Sequence, residues 1–176
     1  MLCPTHHKLI DSASEKYTVE DLKKMKKDHE KYLDEALENE MTNIGYAELE
    51  VALNAICSFE SNTRNNSFEV IPPIEKIKKN NLTQTTHNLL IMGLSQAGLV
   101  SDYISEQARL DAKYPERLKA GFKEKYKILI NGGIREDALF EGMLEFSSAG
   151  YKDFKYRAAG LAILSHLFEI CEVFEK

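Results

Sequence analysis

The chain has 176 residues, a formal charge of −5, 43% apolar residues and 29% charged residues. This is the make-up of one folded domain with room for a small attachment, not of a disordered chain. The acidic balance excludes a wholly basic nucleic-acid coat but leaves a local basic patch open. Cys3, Cys57 and Cys171 are odd in number and far apart, so a disulfide framework is not expected and a reducing, cytoplasmic setting is. No apolar run reaches the ~18 residues of a membrane span, and the opening MLCPTHHKLID lacks the apolar stretch of a signal peptide.

Helical signals dominate the whole length. In residues 1–17 a helix can start at Pro4 or Thr5 and end near Ser12–Ser14. The next is marked at its start by Thr18, with Asp21 at the capping-box position. It is expected from about residue 19 to about residue 40, with an apolar stripe of Leu22, Met25, His29, Leu33, Leu37 and Met41. Residues 43–57 carry Leu49, Leu53, Ile56 and Cys57 at helical spacing, after an extended lead-in at Ile44–Tyr46. That stretch, from Tyr46 to Phe59, also allows pairing across a symmetry axis into a homodimer. SFESNTRNNSFE reads as a polar linker, and VIPP as extended backbone.

A short helix follows with Pro73 at its first position and Asn80-Asn81 at its end. Thr83 caps a single long helix through Leu89, Leu94, Leu99 and Ile104. Gly93 and Gly98 lie inside it and signal close packing or a kink. Tyr114-Pro115 breaks the pattern. The next helix holds Leu118, Phe122, Tyr126 and Leu129, and Asn131-Gly132-Gly133 stops it. Residues 134–148 form another, on which Asp137, Glu141 and Glu145 read as an acidic solvent face. The last, from about residue 154 to the end, is apolar all round, which belongs at the centre of a bundle. His87 and His166 read as core-edge histidines with satisfied nitrogens. The expected fold is all-α: a helical bundle over 72–176, a connecting helix and linker over 42–71, and an N-terminal segment over 1–41.

Chemistry concentrates in the first eleven residues. His7 and Asp11 are four apart, so on a helix they share a face and can hold one divalent metal. Cys3 and His6 form a C-x-x-H pair that suits a structural zinc. Each pair is half a site. A catalytic metal takes about three protein ligands and a structural zinc about four, so others must come from elsewhere.

Leu2-Cys3-Pro4-Thr5-His6-His7-Lys8-Leu9-Ile10-Asp11, then Tyr17-Thr18-Val19-Glu20-Asp21-Leu22, Met25-Lys26 and His29-Glu30, resemble the C-terminal half of an HNH endonuclease domain. The resemblance covers about residues 2–30. It implies that His7, and Asp11 after it, ligate a divalent metal (Mg, Mn or Zn). It implies that Cys3 and His6 sit where many members carry a structural zinc pair. It also implies that the first segment is the helical remnant of a ββα-metal finger. The family's general-base histidine lies on an upstream hairpin, and its asparagine just before the Leu-Cys pair. Neither is in this chain, so no catalytic residue is assigned. Three readings stay open: a remnant, a half-site completed by a partner, or a sequence that begins too late. Lys8, Lys23, Lys24 and Lys27 are the candidate DNA-backbone contacts. Residues 1–31 hold seven lysines against six acids, so a solvated helix face is the stronger reading for these lysines.

A second resemblance spans about residues 44–176. Ile74-Glu75-Lys76-Ile77, Asn80-Asn81-Leu82, Arg117-Leu118-Lys119, Asp137-Ala138-Leu139-Phe140 and above all the ending LFEICEVFEK look like the helical C-terminal domain of prokaryotic ABC-three-component systems. There an ABC-type ATPase and a small middle component accompany an effector joined to this domain. The resemblance implies an effector-coupling subunit in anti-phage or mobile-element conflict, docking on those partners. The alternative expectation is a metal-dependent HNH DNA endonuclease whose catalytic hairpin is missing from the sequence.

Overall fold

The computed structural model describes residues 8, 10–12, 16–59, 72–170 and 174. Among the described residues there is no strand. The helices are α1 (Val19–Met41), α2 (Tyr46–Cys57), α3 (Pro73–Lys79), α4 (Gln84–Leu94), α5 (Ala97–Leu110), α6 (Tyr114–Asn131), α7 (Glu136–Ser147) and α8 (Phe154–Ile170). Lys8, Ile10, Asp11 and Ser12 are also helical. The all-α reading holds. The chain divides into two compact units, Met1–Ala36 and Leu37–Lys176.

In the first unit the capping signal is realised. The Thr18 N–H donates to the Asp21 carboxylate at 3.2 Å, and the Asp21 N–H donates to the Thr18 hydroxyl at 3.1 Å. The Thr18 hydroxyl also donates to that carboxylate at 2.7 Å. These bonds hold the Asp21 carboxyl below its usual range. The apolar stripe has a different fate along its length. Met25 is 54% exposed and Leu33 37% exposed, whereas Leu37 and Met41, in the second unit, are buried. Periodicity fixes which side of a helix is apolar, but not how much of that side finds a partner.

The second unit is a bundle built around α8, which packs on α2, α4, α5 and α7. All residues of α8 from Ala158 to Phe168 are buried. Each large apolar side chain so placed contributes about 1.5–3 kcal/mol by leaving water. Leu49, Leu53 and Ile56 of α2 are fully buried in this core, so the apolar face of α2 is occupied inside its own unit. The start of α2 is held by Glu48. Its carboxylate accepts the Gly45 N–H at 2.9 Å and pairs with Lys155 of α8 at 2.7 Å. The Lys155 bond, outweighing partial burial, sets the Glu48 carboxyl below its usual range.

The single long helix expected after Thr83 is two helices. α4 ends at Leu94 and α5 starts at Ala97. Between them the backbone tightens to i→i+3 bonds, Ser95 N–H to Met92 O and Gln96 N–H to Gly93 O, and the Ser95 hydroxyl also takes the Met92 carbonyl at 2.7 Å. A serine hydroxyl that competes for a backbone carbonyl favours such an ending. Of these two glycines only Gly93 is closely packed. A Cβ there would meet the Ser165 Oγ and would lie 2.6 Å from the Leu161 carbonyl oxygen, while nothing lies within 4 Å at Gly98.

Asp137 also departs from the expected solvent face. It is half-buried, and its Oδ1 accepts the Thr83 N–H at 3.0 Å and the Thr86 hydroxyl at 2.7 Å. A residue of α7 thus caps α4. Burial pushes the Asp137 carboxyl up, but the Thr83 and Thr86 bonds prevail and hold it below its usual range. Glu141 pairs with Arg157 at 3.0 Å, and Glu145 stays exposed.

Candidate functional site

Of the four candidate metal ligands, Cys3, His6 and His7 lie outside the described residues. Asp11 is helical and exposed. Among the described residues no group of three or more His, Cys, Asp or Glu side chains is placed to hold a metal. One exposed carboxylate does not make a divalent-ion site, so no chemical step is assigned to a metal. Of the candidate DNA contacts, Lys8 is exposed on the helical turn that carries Asp11, and Lys23, Lys24 and Lys27 are exposed on α1. Two neighbouring lysines are engaged within the helix: Lys26 with Glu30 at 3.6 Å and Lys31 with Glu35 at 3.3 Å. Exposed pairs of this kind contribute about 0.3–0.5 kcal/mol.

The half-buried thiol of Cys57 is no better placed for chemistry. Burial pushes it up, and the nearby Tyr114 hydroxyl and Arg117 pull it back only in part. The thiolate is the nucleophile, and burial disfavours it here.

The organised polar chemistry of the second unit lies where α3 meets Phe168 and Phe174. Lys76 is fully buried. Its Nζ donates to the Phe168 carbonyl at 2.8 Å and stands 5.4 Å from the centre of the Phe168 ring. A cation at the carbonyl end of a helix is favoured by the exposed C=O groups and by the helix dipole. Asn80, one turn on from Lys76, donates to the Phe174 carbonyl at 2.7 Å and to the Lys76 carbonyl at 2.8 Å. Phe174 is fully buried, with ring centres 5.0 Å from Phe168 and 5.2 Å from Tyr126. Lys76 and Asn80 of residues 74–82 therefore clasp Phe168 and Phe174 of LFEICEVFEK. The contact was not foreseen from the sequence; its signal is Lys76 and Asn80, four apart, the second capping a short helix that also carries Ile74 and Ile77.

Beside this clasp lies an apolar cleft of about 310 Å³, walled by α3, α4 and α8. Leu90, Leu94, Ile77 and Phe168 line it, and Ile74 and Ile91 extend the apolar surface outward at 51% and 56% exposure. His87 stands in the lining with its Nδ1 3.1 Å from the Gln84 amide nitrogen.

No protein-family model, curated protein or solved structure matches this chain. Among the described residues no helix is long and apolar enough to cross a membrane.

Proposed function

We propose that this protein is an effector-coupling subunit of a prokaryotic anti-phage or mobile-element conflict system, derived from an HNH endonuclease, whose helical unit docks on partner proteins. The partners are an ABC-type ATPase and a small middle component. The observation that carries the reading is the clasp between Lys76, Asn80, Phe168 and Phe174, because it joins residues from two of the strings on which the resemblance rests. The adjoining cleft and its exposed rim of Ile74 and Ile91 offer the docking face. Exposed apolar side chains around an apolar floor are the usual material of a protein interface.

The test is co-purification of the tagged full chain with the proteins encoded beside it. Capture of the ATPase or the small component is the expected result. A double change, Ile74→Glu with Ile91→Glu, should abolish capture while leaving the melting temperature within a few degrees, because both side chains are exposed. Failure to capture either partner, or capture indifferent to the rim change, would overturn the reading.

A second reading, a metal-dependent HNH DNA endonuclease, is favoured by one observation. Lys8, Lys23, Lys24 and Lys27 are exposed on helical backbone in the motif-bearing segment. It predicts that the DNA upstream of Met1, read in frame, encodes a histidine-bearing hairpin and an asparagine before Leu2. The extended protein would nick plasmid DNA with Mg²⁺, Mn²⁺ or Zn²⁺ and lose activity on His7→Ala. Lack of nicking by the extended protein would sink it.

A further inference from the structure

Three helices of the second unit meet at a second cleft, of about 260 Å³, separate from the docking face above. Its floor is apolar, with Ile104, Leu118 and Leu167. Its polar groups come from three different helices: Ser101 and Ser105 one turn apart on α5, Lys119 on α6 and His166 on α8. His166 is only 9% exposed. Neither ring nitrogen is among the buried polar atoms left without a partner, and the ring borders the cleft. Lys119 is exposed and enters no ion pair among the described residues.

The charge pattern narrows the ligand. No carboxylate lines this cleft. Burial holds the His166 imidazole below its usual range, and Glu169 pulls the other way without restoring it. The lining therefore offers one positive charge from Lys119 and neutral donors from the two hydroxyls and the imidazole. One fixed cation above an apolar floor suits a singly charged head on a short hydrocarbon body, and suits a multiply charged phosphate poorly.

We propose that this cleft binds a small organic carboxylate, its head held by Lys119, His166 and the Ser101 and Ser105 hydroxyls, and its hydrocarbon lying on Ile104, Leu118 and Leu167. The test uses the full chain, labelled with nitrogen-15, titrated with hexanoate and separately with its neutral twin hexanamide. Hexanoate should shift the amides of Ser101, Ser105, Lys119 and His166 saturably, and hexanamide should bind about tenfold more weakly, the loss of one charge-assisted bond. Lys119→Met, at an exposed position that the fold does not need, should weaken hexanoate by a similar factor, as should His166→Gln. His87→Ala, in the other cleft, should change nothing. Absence of saturable shifts, equal binding of acid and amide, or unaltered affinity in Lys119→Met would each overturn the proposal. Shifts centred on Leu90 and Ile91 would do the same, and the Lys119 arm stands even if His166→Gln fails to fold.

Discussion

Alanine at Gly93 and alanine at Gly98 are expected to move stability in opposite directions. Both glycines lie in helices and both gain helix propensity on substitution, about 1 kcal/mol in a helix interior and less near an end. Gly98 sits in the first turn of α5 with nothing within 4 Å of its would-be Cβ, so Gly98→Ala should stabilise by about 0.5 kcal/mol. At Gly93 the new methyl collides with the Ser165 hydroxyl and lies 2.6 Å from the Leu161 carbonyl oxygen. The hydroxyl can turn away. The carbonyl belongs to the fully buried middle of α8 and cannot move without displacing the helix on which four others rest. Overpacking of this kind costs about 1–3 kcal/mol. The net loss should be about 1–2 kcal/mol, or about 2–8 °C in melting temperature for a chain of this size. Urea titration followed by far-UV circular dichroism reads both changes as midpoints at constant slope. Adding Ser165→Ala to Gly93→Ala should restore part of the loss and leave the part due to the carbonyl. A Gly93→Ala protein as stable as the parent would refute the close-packing argument, and complete rescue by Ser165→Ala would confine the clash to the hydroxyl.

Three further outcomes follow from the packing. Phe174→Ala removes a fully buried ring that touches Phe168 and Tyr126; it should cost about 3–5 kcal/mol in the same urea assay, and a loss below about 1 kcal/mol would mean that the ring lies outside the cooperative core. Lys76→Met keeps the length of the side chain and removes its bond to the Phe168 carbonyl; stability should fall by about 1–3 kcal/mol and amide exchange should quicken in the last turns of α8, whereas unchanged exchange there would refute a capping role. Asp137 has its carboxyl held below the unfolded value of ~3.9, so its contribution is complete above that value and is lost as pH falls through the lower, folded one. Asp137→Asn should therefore be less stable at neutral pH and show a flatter acid limb, and an acid limb identical to that of the parent would count against it.

How much of this was legible in the sequence depends on how far apart the deciding groups lie along the chain. Local signals were read well. The Thr18–Asp21 cap, the stops at Asn80-Asn81 and Asn131-Gly132-Gly133, and the all-round apolar last helix each rest on residues within a turn or two of one another. Tyr114-Pro115 marked a boundary because proline fits the first turn of the helix it begins. The break at Ser95-Gln96 was missed because neither residue is a strong breaker, and Gly98, the more visible glycine, lies just past it. Asp137 was misread for another reason: its partners Thr83 and Thr86 are more than fifty positions away, and helical spacing carries no information at that range.

The candidate sites separate along the same line. The N-terminal motif is dense in ligand chemistry, yet of its candidates in the first eleven positions the described residues include only Lys8 and Asp11, both exposed. The helical unit is the reverse case. Lys76 and Asn80 carried no chemical signature in the sequence, and Phe174 was one aromatic among several. Folding brings them together across more than ninety positions at the carbonyl end of α8. A fully buried lysine is costly unless its ammonium is well bonded, and its bond to the Phe168 carbonyl, with Asn80 on the Phe174 carbonyl, ties both rings into the core. The same contact shapes the cleft beside it, since Phe168 both accepts from Lys76 and lines that cleft. A change in the clasp should therefore reach the proposed docking face without touching Ile74 or Ile91. Stability and partner capture should fall together in Lys76→Met, whereas the rim variants should lose capture alone.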